Sequence, residues 1–378
     1  MTFRLDPGET IACTFTNRLK RANLTVVPFF FQSEAIGGTI RQMVGDSSGR
    51  MQGVIVVDSA QDRVRVFFNH GDGTLRLSQT ILVGREPVAA AAGDLNGDGR
   101  ADVITADFQS RTLTILEGRE DGTFRRQRAL TISARPAALA LGDFDRDGRL
   151  DVVVAYPEED MVQVFHGRGD LTFAIGRRAS VGKRPVALAV ADFNRDETLD
   201  VVVANADSDS VTVLLGRGDG TFAFGGELPV DRGPMAIAAD DFDGDGRIDV
   251  VTANFRASTL SIVRNEGTVG GTARLQLRVV ATMPTGEGPM AVVVGRFFTE
   301  GVGIAAVGAV AQQVWTHVRE GPQRWGVRQR INVNMVPGSI ASGDLNDDGL
   351  PDLVVLDVMG DVLQVWLNDK TGIFRRHQ

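Results

Sequence analysis

Short apolar runs alternate with polar, glycine-rich turns along most of this chain, and the alternation itself recurs. One unit shows the order: a small apolar stretch, Pro185-Val-Ala-Leu-Ala-Val, an acidic loop, and a β-branched run, Asp200-Val-Val-Val-Ala. A polar turn from Asn205 to Ser210 follows, then an alternating stretch, Val211-Thr-Val-Leu-Leu, a turn, Gly216-Arg-Gly-Asp-Gly, and a last stretch opening with Thr221-Phe222. Alternation with period two, β-branched enrichment and Gly/Asp punctuation predict four short strands per unit, with no helical periodicity between them.

Aligned on Gly-Asp-[Leu/Phe]-[Asn/Asp], the units start at Gly93, Gly142, Ala191, Asp240 and Gly343, with a weaker echo at Gly295 and a degenerate one near Gly45. Seven units of four antiparallel strands, about 49 residues each, predict an all-β fold, a seven-bladed β-propeller. The small residues of Ala89 to Ala92 and Ala137 to Ala140 suit strands crowded around an axis, and Phe124, Phe173, Phe222 and Phe374 suit the space between widening blades. The last unit ends at Phe374-Arg-Arg-His-Gln, just as its fourth strand begins, so the β-prone segment 24–31 is expected to complete the last blade.

Residues 1–22 stand outside the repeat, and the propeller is expected to occupy 23–378. Ile11, Cys13 and Phe15 alternate with polar or small residues as one half-buried strand. Pro7-Gly-Glu-Thr-Ile-Ala-Cys-Thr-Phe-Thr-Asn17 resembles the closing strand of small β-sandwich domains in bacterial surface and secreted proteins. On that reading 1–22 is a terminal strand of a preceding domain or a linker, and the propeller is one monomeric unit of a longer chain.

Composition narrows the picture little. A net charge of −8, with 40 basic residues that are scattered and almost all arginine, gives no basic tract and points away from nucleic acid. The single Cys13 permits neither an internal disulfide nor a Cys-based zinc site. No run of about 18 apolar residues predicts a membrane span, and the first residues have no export-signal pattern.

The acids matter because they are concentrated. In Asp143, Asp145, Asp147 and Asp151, carboxylates fall at positions 1, 3, 5 and 9 of a loop whose sixth residue is Gly148. Alternating acids in a tight loop aim at one centre, which suits a hard cation that takes six to eight oxygens, and glycine permits the sharp turn. The same pattern recurs at Asp94, Asn96, Asp98 and Asp102, at Asp241, Asp243, Asp245 and Asp249, and at Asp344, Asn346, Asp348 and Asp352. Asp192, Asn194, Asp196 and Asp200 keep the donors but carry Glu197 in place of glycine. About five structural calcium ions are expected; they would more than cancel the formal charge of −8. The sixth unit, Arg296-Phe-Phe-Thr-Glu-Gly-Val-Gly-Ile, and the first, with only Asp46, are expected to bind none.

Other motifs are explained by turns. Arg168-Gly-Asp170 and Arg217-Gly-Asp219 occupy the same glycine-rich turn of the repeat, and Gly45-Asp-Ser-Ser-Gly49 falls in the degenerate first loop. The four histidines lie far apart, so no catalytic residue is assigned and the chain is expected not to be an enzyme.

Gly142-Asp-Phe-Asp-Arg-Asp-Gly-Arg-Leu-Asp-Val-Val-Val-Ala resembles the FG-GAP or VCBS repeat, whose best-known bearer is the integrin α-subunit propeller. The resemblance spans roughly residues 33 to 378. It implies a calcium-stabilised propeller, usually extracellular or at the cell surface, that binds a protein or glycan partner in adhesion. It would place Phe108, Tyr156, Glu158, Glu159, Phe255, Arg256, Arg85, Arg135, Arg184 and Arg232 on the face opposite calcium. A calcium-dependent lectin is an alternative that three Trp and one Tyr disfavour, and a polysaccharide-cleaving enzyme on the same scaffold is another.

Overall fold

The computed structural model describes residues 24–29, 53–268, 275–298, 301–321, 324–357 and 362–377. Residues 1–22 and the degenerate loop around Gly45 lie outside them. The described chain forms seven four-stranded antiparallel sheets. Blade four is representative, with strands Pro185–Ala191, Asp200–Asn205, Ser210–Gly216 and Phe222–Pro229 hydrogen-bonded in that order. The first strand of every blade lies against the first strands of both neighbours, and the circuit returns from blade seven to blade one. First strands are therefore innermost, and the sheets radiate from them as the repeat predicts.

Period-two alternation now has a radial meaning. In the second strand of blade three, Val152 and Val154 pack towards blade two, whereas Val153 and Ala155 pack towards blade four. Both faces of these inner strands are covered, which is why they read as continuous Val/Ala runs. The core is a series of clusters across blade boundaries, and each fully buried valine contributes about 1.5–3 kcal/mol. Phe124 and Phe374 are buried at such boundaries, while Phe173 and Phe222 are only partly covered.

Ring closure differs from the sequence expectation. Leu24–Phe29 does not complete the last blade; it pairs antiparallel with Gly53–Asp58 as the inner strand of blade one. Blade seven supplies its own short fourth strand, Phe374–Arg376. That strand is held from the side: Gln329 of blade six accepts the N–H of Phe374 (2.8 Å) and donates to its carbonyl (3.0 Å). Gln79 does the same for Phe124 between blades one and two. The ends of the ring are joined by the N–H of Gly73, which donates to the carbonyl of Leu345 (3.0 Å).

At the far end of the second strand in blades one, two, four, five and seven sits a buried polar group, where blade three has Tyr156 and blade six Gly308. In blades four and five it is Asn205 and Asn254, each donating to two hydroxyls of the next strand. Blade two has Asp107 instead, accepting from Thr105, Thr112 and Thr114. Burial raises its pKa to about 6, although the threonine hydrogen bonds oppose the shift. The folded state thus holds this proton more tightly than the unfolded chain. Its contribution is fully present below about pH 4 and lost as pH rises through about 6. Denaturant unfolding of the native protein and Asp107→Asn across pH 4 to 6 is therefore expected to show the native protein losing about 2 kcal/mol relative to the variant. Parallel pH profiles would refute this reading.

Candidate functional site: the acidic loops

Each acidic loop joins the first and second strands of a blade, so all of them emerge on one face. The ninth-position aspartates Asp102, Asp151, Asp200, Asp249 and Asp352 are buried at the start of the second strands. Their two oxygens are divided in the same way each time. One accepts the N–H of the loop's second residue: Leu95 (2.9 Å), Phe144 (3.0 Å), Phe193 (3.0 Å), Phe242 (3.2 Å) and Leu345 (2.9 Å). The other accepts an N–H at the end of the third strand: Gly118, Gly167, Gly216, Asn265 or Asn368, at 2.7 to 2.8 Å. A single carboxylate therefore ties the loop to the third strand.

The second residue is itself buried, and its carbonyl reaches the next blade. Phe144 accepts from the N–H of Gly220 (2.9 Å), Phe193 from Asn265 Nδ2 (2.7 Å), Phe242 from Arg319 (3.3 Å) and Leu345 from Gly73. In blade six Phe297 keeps this role, accepting from Asn368 Nδ2 (2.8 Å) without an acid at positions 1, 3 or 9 of its loop. There Gly303 stands opposite Gly295, the register at which Asp102 faces Gly93, and a Cβ on Gly303 would run into the ring of Phe298. Aromatic packing replaces the carboxylate.

The remaining loop acids are more exposed. First-position Asp94 accepts backbone N–H groups from Gly97 (2.7 Å), Asp98 (3.1 Å) and Gly99 (2.8 Å), and Asp241 is bound likewise by Gly244, Asp245 and Gly246. Third-position oxygens of Asn96, Asp145, Asn194, Asp243 and Asn346 accept the N–H of the fifth residue, and fifth-position Asp98, Asp147, Asp196, Asp245 and Asp348 accept that of the seventh. These bonds curl the loop so that its oxygens converge. Carboxylate oxygens of Asp143, Asp145 and Asp147, and of Asp241, Asp243 and Asp249, lie within 4.8 Å of one another. Asp94 and Asp98, Asp192 and Asp196, and Asp344 and Asp348 hold the same places in the three other loops, with asparagine at the third position. Glu197 takes the left-handed conformation (φ 65°) that its counterparts Gly99, Gly148, Gly246 and Gly349 adopt without strain.

Crowding and burial leave the buried acids poorly solvated. Burial first, then the neighbouring loop carboxylates, raises Asp102, Asp249 and Asp352 to about 7 and Asp200 to about 8, against the opposing pull of their backbone N–H bonds. Asp151, Asp143 and Asp192 also shift upward, with burial the main cause. Such a set is ready to be neutralised by a cation, and every donor predicted from the sequence is an oxygen, the chemistry that suits calcium.

Three features escaped the sequence reading. His166 Nδ1 stands 3.0 Å from Asp145 and 3.6 Å from Asp151. Arg264 reaches Asp243 (2.8 Å) and Asp245 (3.5 Å), placing a guanidinium over the blade-five loop. Arg146 and Arg195 each donate to a backbone carbonyl in the following loop, Asp196 (2.9 Å) and Asp245 (3.1 Å). The signal for the first two lay in one column of the repeat, the residue before Gly167 or Asn265. The Arg-Gly-Asp tripeptides are turns: Asp170 and Asp219 accept the N–H groups of Thr172 and Thr221 at 3.0 Å.

On the opposite face, Tyr156 and Phe108 are buried, not displayed; Arg178 lies over the Tyr156 ring and Arg135 over Phe108. Arg184 and Arg256 share Asp207, and Arg135 pairs with Glu158 (3.3 Å). Arg85, Glu158, Arg232 and Arg256 are exposed, while Glu159 and Phe255 are half-buried. A hollow of about 100 Å³ opens here at the inner-strand ends, lined by Val88, Phe108, Pro136, Ala137, Pro157, Glu158, Arg184, Val186 and Met235.

With strands, loops and blade count in place, the family decides itself. FG-GAP-like repeats match residues 51–105, 94–154, 143–203 and 192–252, more than half of the chain. The chain belongs to the FG-GAP-like repeat family. No curated protein matches it significantly. Among solved structures, this FG-GAP-like chain is similar to a functionally unknown protein from Desulfotomaculum acetoxidans (14% identity, TM-score 0.64, 86% of this chain and 98% of that one). It is also similar to BBS1N in complex with ARL6DN (10% identity, TM-score 0.62, 95% and 98%) and to the periplasmic gluconolactonase of Pseudomonas aeruginosa (14% identity, TM-score 0.59, 86% and 97%). The last corrects the expectation that the chain is not an enzyme: the same architecture carries a named gluconolactonase, so the fold does not set catalysis aside. At these identities the likeness itself speaks for the fold alone.

The division of labour in the loop can be tested in blade four. Asp200→Ala strands two buried N–H groups, at about 1–3 kcal/mol each, and is expected to destabilise the protein by at least about 2 kcal/mol in chelator. Asp196→Ala, at an exposed position, is expected to change stability in chelator by under about 1 kcal/mol. Equal losses in urea unfolding would contradict the assignment.

Proposed function

We propose that this FG-GAP-like propeller is a calcium-stabilised interaction module, placed outside the cell or at its surface, that holds a protein or glycan with the face opposite its acidic loops. The observation that carries the calcium half is the convergence of Asp143, Asp145 and Asp147, and of Asp241, Asp243 and Asp249, in loops already curled by their own backbone. Residues at positions 1, 3, 5 and 9 of the five loops would hold the ions. Calcium there would supply positive charge to carboxylates that burial leaves poorly solvated, and the chain's own part is to preform the loop and pass its rigidity through the second residue to the next blade. Among the described residues no helix is long and apolar enough to cross a membrane.

The partner half rests on the hollow at the inner-strand ends, whose floor is apolar and whose rim carries Glu158 and Arg184. Small apolar hollows with a few placed charges suit one inserted side chain or sugar ring. A protein named for a complex, BBS1N with ARL6DN, shares the fold. A second reading, turnover of a sugar lactone, is supported by the gluconolactonase of the same architecture and belongs beside the first as an assay.

Chelation is expected to lower the melting temperature markedly. One ion at a hundredfold excess over its Kd stabilises by about 2.7 kcal/mol, and each kcal/mol moves the melting temperature by about 2–4 °C. An unchanged melting temperature with chelator sinks the calcium reading. For the partner, a glycan array and a pulldown from intact cells, both in calcium, are expected to yield a ligand that Glu158→Arg loses with no change in melting temperature; retention by that variant would move the binding site elsewhere.

A further inference from the structure

The acidic loops look alike along the sequence but not in space, because the third-strand side chain beside them varies from blade to blade. The third-strand residue just before the N–H that binds the ninth-position aspartate is Glu117, His166, Leu215, Arg264 or Leu367. In blade five it is a guanidinium already paired with Asp243 and Asp245. In blade three it is an imidazole whose Nδ1 lies within 4.8 Å of carboxylate oxygens of both Asp145 and Asp151.

The imidazole is set in place from two sides. A Cβ on Gly220, in the following blade, would collide with the ring, and one on Gly176 would come 2.7 Å from Nε2. Gly220 is itself fixed by its N–H bond to Phe144 of the blade-three loop. The Nδ1 atom is buried and has no hydrogen-bond partner of good geometry, although two carboxylates face it. An imidazole nitrogen 3.0 and 3.6 Å from two carboxylates, yet aligned for a hydrogen bond to neither, leaves a cation as the group that would join all three.

We infer that the blade-three loop is a mixed nitrogen–oxygen site for a first-row transition-metal dication of the zinc or cobalt type, with His166, Asp145 and Asp151 as ligands. It rests on reading the loops as cation sites and departs from it in the ion chosen. Calcium takes oxygen donors almost exclusively, whereas imidazole with carboxylates suits zinc, cobalt, nickel and copper, and three protein ligands suffice. The four other acidic loops lack the nitrogen, so the selectivity would belong to one blade.

The test is Co²⁺ titration of the whole chain in excess calcium, read by visible absorption and by hyperfine-shifted imidazole proton resonances. The native protein is expected to bind one Co²⁺ tightly, with shifted ring signals, and Zn²⁺ is expected to displace it. His166→Leu, which installs the residue blade four carries at Leu215, and His166→Gln are both expected to lose the ring signals and to weaken Co²⁺ by more than about 100-fold, beyond the range typical of an outer-shell change. Both variants should keep a chelator-sensitive melting temperature, which certifies the fold and the other loops. Co²⁺ binding that is absent in the native protein, or equal in the variants, overturns the proposal. If chelator leaves every melting temperature unchanged while Co²⁺ still marks the native protein alone, the calcium reading fails and this one stands.

Discussion

One carboxylate in each of five blades governs this structure. Asp102, Asp151, Asp200, Asp249 and Asp352 each spend one oxygen on the acidic loop and the other on the end of the third strand. Removing either bond would leave a buried N–H without a partner, a larger loss than the net worth of an ordinary hydrogen bond. The loop so fixed presents a buried second residue whose carbonyl is bonded by the next blade. Order inside a blade thereby becomes order between blades, and the acid that closes the loop also helps to close the ring.

Blade six shows which part of this arrangement is indispensable. Its loop has no acid at positions 1, 3 or 9, yet Phe297 remains buried, accepts from Asn368 and meets Phe374 edge-on at 5.5 Å. Gly303 and Phe298 fill by packing the place a carboxylate takes elsewhere. The inter-blade bond survives without the converging acids, so anchoring the next blade does not depend on them. The side chains set over the loops differ as well: Arg264 and Arg247 both reach Asp245 in blade five, whereas blade three brings a histidine.

Much of the fold was legible because a period of 49 residues repeats every local decision: Val/Ala runs for inner strands, Asp-Gly turns, and one apolar residue after the first acid. Ring closure was not legible. Leu24–Phe29 is β-prone under either assignment, and only the pairing with Gly53–Asp58 shows that it begins blade one. Likewise Tyr156, at the end of a second strand, and Phe108, in the turn after one, read as surface, but radial packing covers them. The acids of the loops were readable as a set; His166 and Arg264 were not, since they approach from a strand 15 or more residues further on, and sequence spacing does not reveal which third-strand side chain faces the loop.

The claim on which all this depends is that the ninth-position carboxylates clamp two backbone N–H groups in each acidic blade. Amide hydrogen exchange followed by NMR reads those groups directly. The amides of Phe144, Phe193, Gly167, Gly216, Asn265 and Asn368 should exchange only with global unfolding, in chelator as well as in calcium, while those of Asp147 and Asp196 exchange quickly in chelator. Rapid exchange at the first set in chelator would contradict the account, because it would mean that the metal, and not the carboxylate, holds the loop to its blade.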